Sequence, residues 1–477
     1  MKLRWYWFAL LLLPPLLAPA LPPFGQRLVI LVGVYGLLGI GYQLVFGQLG
    51  ALNLAQGALF GVGAYAAALA APTFGPYAFV VAMLAAVVVA AIAVVPILRL
   101  RSHYFALATF ALAALVNLAA LHLESLTGGA NGLVGFAAAL PRGLPLLAFV
   151  WICLNGAVLA QLKFLTPRRA EAAFLIREAP LVAATLGINA NRWRFRAFVV
   201  GGAVAGLAGG VSAAVSGVVS PDATGFPIML LCLSSVVLGG ARHPVGAVLG
   251  AAIAVCLPEA FRQLDGAWLL AYAAATLAVV LWAPQGLAGL IDGPEPRPLP
   301  QMPVRLMPST NGKRIVLRGV KKHFGGVEAL AGVSMEVGRG EIVGLVGPNG
   351  SGKTTVLNVI SGLEPADGGT IELDDRHIER LSAPVIAHAG ISRTFQSPLP
   401  GEGRLSGVAR AVGSGAAFLL FDEPLAGANA QERAELVMLL ERLRVAGYGV
   451  LIVDHDMALL SKICDRLVSL DRGRVVG

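Results

Sequence analysis

Ten apolar segments crowd the first 290 residues, at 5–23, 27–46, 51–71, 76–98, 103–121, 144–162, 197–219, 226–241, 244–258 and 266–283. A helix needs about 20 mostly apolar residues to cross the hydrocarbon core of a bilayer. Inside that core every backbone amide must find its partner within the protein, which leaves helices or closed barrels as the spanning structures. This part of the chain therefore reads as an all-α polytopic membrane domain of about 8–10 spans. The segments on either side of Arg242 are short enough to be half-spans that enter and return. With 57% hydrophobic and 13% charged residues and a mean hydropathy of +0.75, an ordinary soluble enzyme is excluded.

Basic residues mark the cytoplasmic ends of spans. With Lys2 and Arg4 inside, the even-numbered spans end at Arg99 and Arg101, in the Arg-rich 163–196 segment, at Arg242, and at Ala283. Both halves of 226–258 must then reach the cytoplasmic side, because a single span there would export the C-terminal third. The basic start and the Ala-Pro-Ala of "MKLRWYWFALLLLPPLLAPALPP" also fit a cleaved signal peptide. The immediate succession of further spans favours an uncleaved first helix. The net charge of +9 is spread beside apolar runs, so membrane lipid and no nucleic acid is the expected partner. Cys153, Cys232, Cys256 and Cys464 have neither CxxC spacing nor histidines at metal-ligand distance.

"LIDGPEPRPLPQMPVRLMPSTNGKR" comes after the last span, and its prolines exclude a continuous helix. It reads as a semi-extended tether, dividing the chain into a membrane domain at 1–292, a linker at 293–313 and a further domain at 314–477.

After the tether, the apolar run Ile342–Val346 reads as a buried strand, and "GPNGSGKTT" fits G-x-x-x-x-G-K-T at the start of a helix. The amides around Gly347, Asn349, Gly350, Ser351, Gly352 and Thr355 are placed to wrap phosphates. Lys353 is placed to neutralise the β and γ oxygens, and Thr354 to hold Mg²⁺. An incidental Gly-rich turn is the bland alternative. A second apolar run, "AAFLLFDEP", ends in Asp422, a candidate for Mg²⁺, and Glu423, a candidate to polarise the attacking water. ATP with Mg²⁺ is the implied cofactor set.

"GPNGSGKTT", "RTFQ", "LSG", "LLFDEP", "AGAN" and "VDHD" stand in the order of an ABC-transporter ATPase. Residues 314–477 resemble most the ATPases of branched-chain amino-acid importers, which implies a truncated α/β P-loop ABC ATPase domain. The resemblance implies that Phe324 stacks on the adenine, that Gln396 senses metal and γ-phosphate, that Asn429 sits in a dimer-contact turn and that His455 completes the γ-phosphate contacts. Taken alone, such a Phe is more often core, such a Gln solvated and such a His structural.

The membrane half resembles the permease of the same importer class, in "LNLAQGALFGVGAY", "LRLRSHYFALATFALAAL", "SLTGGANGLVG" and "VVLGGARHPVGAVLGAAI". Gly57, Gly61 and Gly63 fit either tight helix packing or a cavity lining. "LIREAPLVAATLGINANRWRFR" resembles the cytoplasmic segment whose short helix docks on the ATPase, with Pro180 in a first turn and Gly187 ending it. A helix lying on the membrane surface is the alternative.

Two polypeptides that normally assemble thus stand in one chain, as a half-transporter. The implied partners are a second permease subunit, a second ATPase subunit, a periplasmic or extracellular solute-binding protein and a small amino acid. The implied location is the bacterial cytoplasmic (inner) membrane, with the ATPase in the cytoplasm. In the family a helical subdomain separates the Gln of "TFQ" from the signature "LSGGQ"; here only "SPLPGEGR" separates Gln396 from Leu405. Leu405, Ser406 and Gly407 are expected in a Gly-rich connector without an assured helix, and the groove for the coupling helix is expected to be compromised. Three readings stay open: an ATP-driven importer subunit, a permease with a nucleotide-binding module that hardly hydrolyses, and a degraded fusion. Branched-chain amino acids, amides and urea all suit such an apolar cavity.

Overall fold

The computed structural model describes residues 5–100, 102–260, 268–292, 306–308, 312–396, 405–424 and 426–476. The tether read at 293–313 therefore lies outside the described residues except at 306–308 and 312–313, and so does the "SPLPGEGR" stretch. The chain forms two compact units, Met1–Arg177 with Asn191–Arg297, and Glu178–Ala190 with Pro298–Gly477.

The first unit is helical. Its elements are α1 (Trp5–Leu17), α2 (Pro23–Tyr42), α3 (Gln56–Phe74), α4 (Ala78–Ile97), α5 (Ser102–His122), α6 (Glu124–Thr127), α7 (Leu144–Phe164), α8 (Pro167–Glu178), then α10 (Ala190–Ser216), α11 (Phe226–Gly239), α12 (Gly246–Ala260), α13 (Trp268–Trp282) and α14 (Gly286–Asp292); α9 (Pro180–Thr185) belongs to the second unit. Among the described residues five helical stretches are long and apolar enough to cross a membrane, and 226–239 and 246–260 form shorter apolar helices. The short pair is the expected pair of half-spans. A small ribbon joins β1 (Leu133–Val134) to β2 (Val218–Val219) in antiparallel register.

Small residues set how closely these helices approach. A Cβ at Gly63 would overlap the backbone of Gly206, and one at Gly250 would overlap the Ser235 carbonyl, so α3 meets α10 and α12 meets α11 backbone to backbone. Gly57, Gly61 and Gly63 all face such close neighbours, which is packing and not a cavity lining. Polar side chains repair the breaks between helices. Gln43, fully buried, donates from Nε2 to the carbonyls of Gly240 (3.1 Å) and His243 (3.0 Å) in the turn between α11 and α12. It adds a second donor to oxygens that already accept from His243 N (3.3 Å) and Gly246 N (2.8 Å), and so fixes the turn to α2.

The second unit is α/β. Its elements are β3 (Arg314–Phe324), β4 (Val327–Gly338), β5 (Ile342–Val346), α15 (Lys353–Ile360), β6 (Gly368–Leu373), β7 (Arg376–His377), α16 (Ala383–Ala389), β8 (Ile391–Arg393), α17 (Leu405–Gly413), β9 (Phe418–Asp422), α18 (Ala430–Val445), β10 (Gly449–Val453), α19 (Met457–Ile463), β11 (Arg466–Asp471) and β12 (Arg474–Val475). One sheet has the order β12-β11-β5-β10-β9-β8, parallel except for β12; the other, β4-β3-β6-β7, is antiparallel. The parallel strands β5, β9 and β10 are buried along their whole length, which explains their unbroken apolar runs.

Two expectations are corrected here. The connector after Gln396 ends in a nine-residue helix, α17, which includes Leu405, Ser406 and Gly407. Val408, Ala411 and Val412 fall on one helical face and pack with Leu419, Phe421 and Leu436. Two parallel neighbours, β8 and β9, need a crossover between them, and α17 belongs to it. The short helix expected to dock on the ATPase also has a seat. α9 packs on α16 and β8, Ser392 Oγ donates to Thr185 O at 3.5 Å, and Gly187 lies against the His388 ring. These contacts come from residues before the missing subdomain, so its loss leaves them in place.

Candidate functional site

Register places the chemistry. Val453, the last residue of β10, pairs with Leu345 of β5 on one side and Asp422 of β9 on the other. Three parallel strands thus end together, and the segments leaving them gather at one edge: the phosphate loop, Asp422–Glu423 and Asp454–His455. β8 joins the same edge through Arg393, opposite Leu420, so Thr394 to Gln396 arrive there as well. The carboxyl ends of parallel strands are where such sheets bind ligands.

The loop from Gly347 to Gly352 leads into α15. Gly350 (φ +79°) and Gly352 (φ +105°) adopt backbone that disfavours other residues. Lys353 is buried and donates from Nζ to the carbonyls of Gly347 (2.8 Å) and Pro348 (2.9 Å), so it bridges the loop it is expected to serve. Ser351 Oγ is buried without a hydrogen-bond partner among the described residues, a polar atom inside the turn that a phosphate oxygen would satisfy. Asn349 and Thr354 are exposed, and Thr355 is half-buried.

Glu423 sits at φ +45°, an uncommon conformation that only Asp374 and Arg472 share among the described non-glycine residues. Its Oε2 accepts from Gln396 Nε2, and its Oε1 lies 2.9 Å from His455 Nε2. The three expected catalytic residues are therefore in contact. Asp422 is buried, and its Oδ2 accepts from Arg393 Nη2 at 2.7 Å. Arg393 also donates to Asn358 Oδ1 on α15. Burial pulls the Arg393 guanidinium below its ordinary value, and the charge of Asp422 opposes that shift. Sequence reasoning assigned no role to Arg393, although it stands in the quoted "RTFQ"; its signal was a lone charge in an otherwise buried strand end.

Phe324, at the end of β3, is exposed, with Lys322 Nζ 5.3 Å from its ring centre. An exposed ring beside a cation leaves a face for a base to stack on. Asn429 has a local structural role. Its side chain caps α18 by accepting from Glu432 N at 2.8 Å, while Glu432 Oε2 accepts from Asn429 N.

Two family models match the chain. Residues 26–283 match the family model described as branched-chain amino acid transport system / permease component, and residues 330–401 match that of the ABC transporter. The chain is 30% identical over 225 residues to the high-affinity branched-chain amino acid transport ATP-binding protein LivG of Salmonella typhimurium, covering 33% of this chain and 88% of that protein. It is 28% identical over 213 residues to the lipopolysaccharide export system ATP-binding protein LptB of Escherichia coli K12, covering 34% of this chain and 88% of that protein. A nucleotide-free ATP-binding cassette from an ABC transporter aligns at 23% identity with a TM-score of 0.33, covering 35% of this chain and 90% of that structure.

The chain is thus a multi-pass ABC transport protein, in which an ATP-binding domain hydrolyses ATP coupled to transport. The chain belongs to the branched-chain amino acid transport permease family, with the ATP-binding component fused behind it in the same polypeptide. The alignment with LivG has gaps on this side, since a third of 477 residues is fewer than 225. The ABC model itself stops at residue 401, before the remnant signature.

Proposed function

We propose that this chain is a half-transporter for ATP-driven import of branched-chain or similar small apolar amino acids across the bacterial inner membrane. The observation that carries the proposal is the meeting of Gln396, Glu423 and His455 at one sheet edge, behind a membrane domain of the permease family. The domain limits would be 1–292, 293–313 and 314–477, with the last in the cytoplasm.

In the proposed cycle, Gly347, Asn349, Gly350, Ser351, Gly352 and Thr355 surround the nucleotide phosphates. Lys353 leaves the carbonyls of Gly347 and Pro348 for phosphate oxygens, and Phe324 stacks on the adenine. Glu423 takes the proton of the attacking water, and His455 and Gln396 hold its carboxylate and the γ-phosphate in line. Mg²⁺ would screen the phosphate charge; Thr354, Asp422 and Gln396 offer the hard oxygen donors it prefers. Asp422 would hold the metal with the carboxylate whose Oδ2 already accepts from Arg393.

By the resemblance, ATP is closed between the phosphate loop of one ATPase and the signature of another. Leu405–Gly407 is only a remnant of a signature, so the chain would depend on a second, complete ATPase subunit, together with a second permease and a solute-binding protein. The shortened connector favours a second reading, in which the domain binds nucleotide and hardly hydrolyses it. Uptake of labelled leucine into vesicles holding the assembled complex separates the two: ATP-dependent accumulation supports import, and accumulation indifferent to ATP favours the second.

A further inference from the structure

The turn between α10 and α11 carries an acid at the depth of the spans. α11 has 14 residues, about 21 Å of rise, which is short of the ~30 Å apolar thickness of a bilayer. Its first turn lies beside the first two turns of α3, and α3 then runs on past it. A Cβ at Gly57 would meet Met229 N at 3.0 Å and Gly225 O at 3.3 Å, and one at Gly61 would overlap Thr224, while α3 continues to Phe74. The N-terminus of α11 therefore opens within the membrane domain.

The segment before it, Pro221–Thr224, is pinned from α5. Asn117 Nδ2 donates to Pro221 O at 2.9 Å and to Thr224 Oγ1 at 2.8 Å, and the Thr224 hydroxyl donates to Pro221 O at 2.6 Å. Two polar groups at this place are unused. The Asp222 carboxylate is exposed and has no hydrogen-bond or ion-pair partner among the described residues. Tyr65 follows Gly57 and Gly61 at four-residue steps on the same face of α3. It is only 7% exposed and its hydroxyl has no hydrogen-bond partner among the described residues, and Gly61, one turn before it, lies against Thr224, two residues from Asp222. No side chain caps the first turn of α11, and Pro227 there has no N–H.

An ionisable group among spans is costly and marks function. Here a negative carboxylate stands beside the positive end of a helix dipole. A plain cation would be repelled by the helix end, and a plain anion by Asp222. A ligand carrying both charges side by side satisfies both. We propose that Asp222, Tyr65 and the N-terminus of α11 form a recognition site for the zwitterionic head of an α-amino acid, with Asp222 taking the ammonium and the α11 amides with the Tyr65 hydroxyl taking the carboxylate. The ligand class rests on the import reading above; the placement of the site does not.

The test uses the full chain in lipid nanodiscs and saturation-transfer NMR, with L-leucine and with 2-hydroxy-4-methylpentanoate, which has a hydroxyl in place of the ammonium. The wild type should prefer leucine. Asp222→Asn should weaken leucine by about tenfold or more and leave the hydroxy acid unchanged, so that the preference collapses, and Tyr65→Phe should weaken both. A purely structural role for Asp222 would lower both ligands together with the melting temperature, which overturns the site. Wild-type leucine affinity in a monodisperse Asp222→Asn protein also overturns it and leaves the import reading standing, whereas a wild type that binds no α-amino acid overturns both. Should Asp222→Asn not fold, unchanged affinities in Tyr65→Phe decide against the site.

Discussion

Arg393 Nη2 lies 2.7 Å from Asp422 Oδ2, and the two side chains are 1% and 7% exposed. The same guanidinium reaches Asn358, so one side chain ties β8, β9 and the phosphate-loop helix together. Removing one partner of such a buried pair leaves a charge without compensation, which costs about 3–5 kcal/mol. Arg393→Met should lower the melting temperature of the C-terminal unit in calorimetry of the full chain, and adding Asp422→Asn should restore part of it. An unchanged transition in the single variant would show that the pair is not structural.

Glu423 touches both Gln396 and His455, so its loss should act on chemistry more than on binding. A general base contributes about 10²- to 10⁴-fold, and Glu423→Gln should remove nearly all phosphate release from the assembled complex. The matching substitution in a partner ATPase should remove little, because that subunit's phosphate loop would face only Leu405–Gly407. Equal losses from the two changes would refute an asymmetric pair of sites.

Lys353→Ala removes the cation that now bridges the carbonyls of Gly347 and Pro348. ATP titration of the full chain should show affinity reduced by about tenfold or more, the scale of a lost charge-assisted contact. Unchanged affinity would mean that the loop does not hold the phosphates.

The segment around α9 should label as a cytoplasmic one. Thr185 is a poor probe because it is 1% exposed, whereas Leu181 is 59% exposed. A cysteine at 181 should resist an impermeant maleimide in intact cells and react after permeabilisation. Ready labelling from outside would overturn the orientation drawn from Arg168, Arg169 and Arg177.

Gly250 has no room for a side chain against the Ser235 carbonyl. Gly250→Ala must push α12 from α11, and overpacking of this kind costs about 1–3 kcal/mol. The expected readout is a lower melting temperature of the membrane unit, with ATP binding by the full chain unchanged.

Much of this protein could be read from local pattern, because local physics sets it. The apolar runs require spanning helices, the loop from Gly347 to Thr354 requires a strand before it and a helix after it, and Pro180 with Gly187 brackets α9. The half-spans around Arg242 were legible from their length alone. The features decided by tertiary structure depend on neighbours far apart in sequence. Arg393 and Asp422 become a pair only because β8 lies beside β9, and Gln396, Glu423 and His455 meet only because three strands end in register. The seat of α9 depends on α16, nearly two hundred residues away, and α17 is a helix because parallel strands need a crossover and its apolar face finds Leu419, Phe421 and Leu436. Periodicity within a segment carries its secondary structure; which buried charge meets which is settled by strand order, and strand order is a property of the packed whole.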